Sequence, residues 1–239
     1  MTYVMSDIHG CYREYQKALE KIAFSDTDIL YIIGDIVDRG PDIVSVLKDV
    51  MGRKNVRLLA GNHEYMGLRV LGKVCQKGGL TASLGAMNAD EIKNCFRWMN
   101  DGGSRTLEQL KRGGDELFRR TAVFLSDLPL YEEVSVGGQD FLLVHAGLEP
   151  FRPGKPLEDY SPAELLFHRA DYSRPYFSDR LTITGHTPTF FSDRGRGGYI
   201  LHRNNHIAID CGCVYGCRLG VYCLETGAEY YVDSEQRGR

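Results

Sequence analysis

The 239-residue chain sets 29 lysines and arginines against 32 aspartates and glutamates, a net charge of −3 that leaves no global basic footprint for a nucleic-acid polymer. Hydrophobic residues make up 43% and charged ones 26%, which excludes a disordered or fibrous chain. Its length allows a sizeable core in one domain or two, and no apolar run is long enough to span a bilayer. Met1-Thr2-Tyr3-Val4-Met5-Ser6 enters a strand directly, without a basic n-region or an apolar h-region, so no secretory leader is expected. Seven cysteines, an odd number in a chain read as lacking an export signal, point to reduced thiols in a cytoplasm.

In chain order, Thr2–Ser6 reads as a strand and Tyr12–Phe24 as an amphipathic helix, with Tyr12, Tyr15, Leu19 and Ile22 on one face. The apolar run up to Ile33 is a second strand, followed by a helix starting near Pro41 that buries Ile43, Val44, Leu47 and Val50. Val56–Ala60 is a third, ending at Gly61-Asn62-His63-Glu64, which opens another helix. Three strands each running into a polar, glycine-marked loop and a helix are the signature of a parallel sheet with its loops on one edge.

From about residue 74 to 129 the character changes: Gly78-Gly79, Gly102-Gly103 and Gly113-Gly114 punctuate helix-like pieces, among them Ala89–Met99 and Asp115–Leu125. This stretch is expected to be a helical insertion forming one wall of a cleft. Strands resume at Tyr131–Val136 and Phe141–His145, joined by a Gly137-Gly138 hairpin turn. A Pro- and Gly-rich loop leads to a short helix, Ala163–Ala170. The tail supplies strands Leu181–Thr184, Tyr199–Leu201, Ile207–Asp210, Leu219–Leu224 and Tyr230–Val232, an antiparallel-looking set, before a frayed Arg237–Arg239 end.

The chemistry centres on Gly34-Asp35-Ile36-Val37-Asp38-Arg39-Gly40, where a buried strand delivers two carboxylates and a guanidinium to its carboxyl end. Hard cations want Asp35 and Asp38; phosphate oxygens want Arg39. In isolation a solvated surface turn would read the same way. Asp7-x-His9 follows the first strand, Asn62 the third, and His145 and His186 end two later ones, so five strands finish on a metal-capable side chain. One such histidine is ordinarily structural; five coincidences are not. Two Asp, three His and one Asn suit manganese, iron or zinc better than calcium. They also suit two ions better than one, because six ligands overfill a single hydrolytic site. Asp35, central in the set, is the expected bridge, in the two-metal arrangement used for in-line displacement at phosphorus.

Taken together, Asp7-x-His9, Gly34-Asp35-x-x-Asp38-Arg39-Gly40, Gly61-Asn62-His63-Glu64, His145 and Gly185-His186 resemble the phosphoprotein-phosphatase branch of the calcineurin-like metallophosphoesterases, in its bacterial and phage form, which includes diadenosine tetraphosphatases. Ile209-Asp210-Cys211-Gly212-Cys213-Val214-Tyr215-Gly216 resembles a late family segment, with cysteine where threonine is usual at Cys211 and where glycine is usual at Cys217. The resemblance implies an α/β fold, a single domain over 1–239 in which two packed mixed β-sheets are flanked by helices. It implies that Asp7, His9 and Asp35 hold one divalent metal and Asp35, Asn62, His145 and His186 a second, manganese being the expected ion. His63, oriented by Asp38, would protonate the leaving group, and Arg39, with Arg169 as a second arginine, would bind phosphate. Two bridged cations would generate the hydroxide nucleophile.

The expected activity is hydrolysis of phosphate monoesters, with phosphoserine or phosphothreonine in proteins, and by extension phosphotyrosine, ahead of symmetrical cleavage of a dinucleoside tetraphosphate. A non-catalytic scaffold of the same fold is the reading from another class. Elsewhere, Cys211, Cys213, Cys217 and Cys223 read as buried thiols rather than zinc ligands, their spacing fitting no usual ligand pattern. Cys11 stands at a helix start. Arg194 and Arg196 lie in a glycine-rich turn that could meet a polyphosphate or simply be solvated.

Overall fold

The computed structural model describes residues 1–77, 85–192 and 197–236; the Gly78-Gly79 pair, the turn with Arg194 and Arg196 and the Arg237–Arg239 end lie outside the described residues. Strands β1 (Thr2–Met5), β2 (Ile29–Ile32) and β3 (Val56–Leu58) run parallel. Alternation along them decides the layering. Tyr3, Met5, Leu30, Ile32, Val56 and Leu58 face helices, whereas Val4, Tyr31, Ile33 and Leu59 face a second sheet. Burial on both faces is why these strands read as continuous apolar runs.

The second sheet is built from β4 (Tyr131–Val136), β5 (Gln139–Val144), β6 (Arg180–Thr184), β7 (Leu201–Arg203) and β8 (His206–Ala208), in the order β4-β5-β6-β8-β7. It presents Phe141, Leu143, Ile183 and Ile207 to the first sheet. Strands β9 (Arg218–Cys223) and β10 (Glu229–Asp233) return to the first sheet, giving β10-β9-β1-β2-β3. The tail is thus not one antiparallel set: β6 and β8 run parallel to each other and to β5, whereas β7 pairs antiparallel with β8, and β9 antiparallel with β1 and β10. Partners for such short strands are set by inter-sheet burial, which local pattern does not reveal.

Helices α1 (Tyr12–Lys21) and α2 (Ile43–Gly52) cover the first sheet's outer face through Tyr15, Leu19, Ile43 and Leu47. Asp42, not Pro41, starts α2, its side chain accepting from Ser45 N at 3.1 Å. The same apolar cluster continues through α3 (Asn62–Lys77), α4 (Ala89–Trp98), α5 (Ser104–Gly113) and α6 (Asp115–Ser126). Between α4 and α5 the turn Met99–Gly103 kinks at Gly102. Gly137 and Gly138, at φ 60° and 83°, make the two-residue hairpin between β4 and β5. Helix α7 (Pro162–Leu166) covers the second sheet and stops four residues short of Ala170, so Arg169 lies in a loop rather than on a helix face. A last short helix, α8, spans Thr189–Ser192.

Candidate active site

The loops after β1 and β2 are laced together by main-chain bonds: Asp7 N to Gly34 O at 3.1 Å, His9 N to Asp35 O at 2.8 Å and Gly10 N to Ile36 O at 2.9 Å. Asp7, His9, Asp35, Asp38, Arg39 and His186 all take positive φ, between 43° and 70°. Left-handed backbone at six non-glycine residues costs energy and persists only where surroundings over-determine it. Buried Glu64 supplies much of that determination, accepting from Asp35 N (2.7 Å), Ile36 N (2.9 Å), Val37 N (3.2 Å) and Gly61 N (2.9 Å). Gly61 is obligatory, since a Cβ there would stand 2.1 Å from Asp35 Oδ1.

Asp35 is the hub. Its Oδ2 lies 3.5 Å from His9 Nε2, 3.4 Å from His145 Nε2 and 3.9 Å from His63 Nε2, and its Oδ1 accepts from His63 N at 3.1 Å. Asn62 Oδ1 is 2.9 Å from His145 Nε2 and 3.0 Å from His186 Nδ1. Nδ1 of His9 meets Val37 O at 2.7 Å and Nδ1 of His145 meets Ile33 O at 2.8 Å, which orients both rings with Nε2 towards the centre. Two ligand trios result, His9–Asp35–His63 and Asp35–His145–His186, sharing one carboxylate. Asp7 is buried beside them, with Oδ2 accepting from Ser6 Oγ at 2.5 Å and His186 N at 3.0 Å.

Burial, then Arg39, holds His9 well below its ordinary pKa, and burial, then His145, brings His186 down to about 3. Both are therefore neutral, the state in which imidazole binds a cation. Burial, reinforced by the charge on Asp35, raises Asp7 to about 6. Burial would raise Asp35 too, but His145 and then His63 outweigh it and keep it well below the carboxylate range. His145 rises to about 10, burial opposing and Asp35 prevailing. Mixed nitrogen and oxygen donors around a shared buried carboxylate fit a pair of divalent ions.

Next to the hub, His63 Nδ1 is 2.6 Å from Asp38 Oδ2. Asp38 also accepts from Trp98 Nε1 at 2.7 Å and Thr106 Oγ1 at 2.5 Å. His63 Nε2 is buried without a hydrogen-bond partner, 3.7 Å from Asp101 Oδ2. Burial opposes charge on His63, but Asp35 and the bond to Asp38 raise its pKa. Burial raises Asp38 as well; its three donors favour the carboxylate, and we take the pair as imidazolium and carboxylate. Arg39 donates to His9 Nε2 at 3.0 Å and to Asp101 at 2.9 Å, and its guanidinium lies 5.7 Å from the Tyr215 ring centre. A cleft of about 330 Å³ opens over Asp35, Asn62, His63 and His186. Arg39, Arg97 and Arg169 stand around it with the rings of Phe191 and Tyr215.

The sequence model of the calcineurin-like phosphoesterases matches residues 2–216. The chain belongs to that family. Over 101 residues it is 43% identical to a symmetrical bis(5'-nucleosyl)-tetraphosphatase of Erwinia tasmaniensis and 42% identical to one of Salmonella paratyphi B. Those matches take in 40% of this chain and only 37% and 36% of the relatives' lengths. The fold is similar to a solved protein described provisionally as a diadenosine tetraphosphatase (TM-score 0.65, 20% identity, 98% of this chain and 93% of that one). It is also similar to a protein serine/threonine phosphatase of Saccharomyces cerevisiae (TM-score 0.60, 16% identity, 99% and 80%).

In this family member every residue singled out as ligand, acid or phosphate anchor lies at one site: Asp7, His9, Asp35, Asn62, His145 and His186 around the hub, His63 with Asp38 beside it, Arg39 and Arg169 on the cleft. The guanidinium of Arg169 lies 5.5 Å from the centre of the Phe191 ring. Sequence reasoning passed over Arg97 on the cleft and four supporting residues, Glu64, Trp98, Asp101 and Thr106. Glu64 carried a signal, an acid in the first turn of a helix that opens on two site residues. Trp98, Asp101 and Thr106 are 60 or more residues from the groups they serve, and a tryptophan and a threonine at helical spacing read as core. Among the described residues, no three of Cys211, Cys213, Cys217 and Cys223 bring ligand atoms together. Cys211 packs between the sheets, Cys213 and Cys223 under the outer helices. Cys11 is buried at the start of α1.

Proposed function

We propose that this chain is a two-metal phosphoesterase whose substrate is a dinucleoside tetraphosphate, cleaved symmetrically into two nucleoside diphosphates. The observation that carries the reading is the set of three guanidiniums, Arg39, Arg97 and Arg169, spread around a cleft that also offers the Phe191 and Tyr215 rings. A monoester's single phosphate is served by two of them, Arg39 and Arg169, and leaves Arg97 over; a polyphosphate ending in nucleosides uses several cations in series and aromatic faces for its bases. The partial identity to symmetrical tetraphosphatases supports the same choice.

Asp7, His9 and Asp35 would hold one ion, and Asp35, Asn62, His145 and His186 the other. When bound, the ions acidify a water and neutralise charge on the phosphoryl oxygens. Arg39 swings from His9 and Asp101 to grip the phosphate, and its charge stabilises the transition state. As the bond from phosphorus to the leaving oxygen breaks, His63 gives that oxygen the proton on Nε2. Asp38 keeps the ring in register and stabilises its cationic form, and Trp98 and Thr106 fix Asp38.

One feature favours a second reading, phosphoserine or phosphothreonine hydrolysis. A strongly supported acid such as His63 suits an alkoxide, which needs a proton more than a phosphoanhydride oxygen does. Manganese-loaded protein assayed with diadenosine tetraphosphate and phosphopeptides side by side decides between them. Preference for the dinucleotide by about tenfold or more in kcat/KM, with adenosine diphosphate as sole product, is expected; the reverse preference overturns the proposal. No turnover of either would leave the non-catalytic scaffold.

A further inference from the structure

Beside the cleft, α3 and α4 enclose another cavity, of about 350 Å³. Met66, Arg97 and Phe167 line both volumes, so the cavity adjoins the catalytic cleft. One wall is aromatic: Tyr65 and Phe167 meet edge to face with centroids 6.1 Å apart, and the Arg69 guanidinium lies 6.0 Å from the centre of the Tyr65 ring. Val70, Met87 and Cys95 add apolar lining, and Asn94 offers an amide that both donates and accepts. Glu91, the acid among the lining residues, is engaged with Lys73 and with the start of its own helix.

Rings, thioethers, one amide and arginine side chains are the chemistry of a nucleobase site that leads to phosphate, and the volume suits a base with its ribose. A phosphorylated peptide would use the cations and leave the rings and the apolar lining without a role. We infer that this cavity seats one nucleoside of the substrate, its base against Tyr65 and Phe167, its phosphates passing Arg97 on the way to Arg39 and the metal ligands. The inference rests on the dinucleotide reading above and adds the place where specificity for a nucleoside resides.

Calorimetric binding to manganese-loaded protein tests it with two non-hydrolysable probes, the α,β-methylene analogue of adenosine diphosphate and methylenediphosphonate, which lacks the nucleoside. The nucleoside analogue should bind about 10- to 100-fold tighter, the contribution of one stacked base. Tyr65→Ala, and Met87→Trp, which fills the cavity, should each cut that ratio below about threefold while leaving the methylenediphosphonate affinity and p-nitrophenyl phosphate turnover unchanged. Equal affinities in the parent protein, or a ratio that survives both substitutions, would overturn the inference. So would a phosphoserine peptide whose advantage over inorganic phosphate vanishes in Tyr65→Ala, since the cavity would then belong to a peptide. The two readings fail separately: a protein that ignores diadenosine tetraphosphate but keeps the ratio loses the proposed substrate and retains the nucleoside site.

Discussion

Glu64 acts through the main chain: four backbone N–H groups converge on its carboxylate and hold the Asp35 loop in left-handed conformation. Glu64→Gln puts an amide NH₂ against some of those donors. It should weaken manganese binding by about 10- to 100-fold, as loss of a ligand-orienting partner does, read by calorimetric metal titration. Retention of parent affinity would mean the loop needs no such collar. Its neighbour His63 is the proposed proton donor. His63→Asn should therefore cut turnover of alkyl phosphates by about 10²- to 10⁴-fold and spare p-nitrophenyl phosphate, whose leaving group needs no proton; equal losses on both would remove the acid role. Trp98→Phe deletes one donor to a buried carboxylate. It should cost about 1–3 kcal/mol of stability and lower turnover of alkyl phosphates more than of p-nitrophenyl phosphate.

At the scale of elements, the kinked turn between α4 and α5 sets where Arg39 points. Arg39 N reaches Gly102 O, Arg39 pairs with Asp101, and a Cβ on Gly102, at φ 109°, would lie 2.7 Å from both Arg39 Cγ and Arg39 N. Gly102→Ala should push Arg39 off the cleft and raise KM by about tenfold, the loss of one charged contact, with the melting temperature lowered only slightly. A KM unchanged in a folded variant would show that the turn does not position the arginine. The same turn follows Trp98 and precedes Thr106, so one short segment bears on both the phosphate anchor and the acid's partner. Parallel strands explain why the other groups meet: β1, β2 and β3 in one sheet and β5 and β6 in the other end beside each other, and each hands over its polar residue within a few positions of its last paired one.

The molecule as a whole carries buried carboxylates and imidazoles at the junction of its two sheets, so ion binding and folding are coupled. Saturating manganese, at about 100 times Kd, should add about 2.7 kcal/mol and raise the melting temperature by roughly 5–10 °C, with a chelator reversing the gain. A melting curve indifferent to manganese and chelator would favour a scaffold that has kept the ligands' geometry without their use. Among the described residues no helix is long and apolar enough to cross a membrane.

The sequence alone marked the residues that the fold gathers at one site and, Arg169 apart, the strand ends they follow. Strand and helix periods are local, and a ligand placed just past a strand end is legible wherever glycine and a carboxylate or imidazole follow an apolar run. The pairing of the tail strands, the loop position of Arg169 and the braces from Trp98, Asp101 and Thr106 were decided only by tertiary structure. Each depends on groups brought together across dozens of residues by burial of the two sheets and the helices upon them, and no local pattern encodes which distant donor a buried carboxylate will meet.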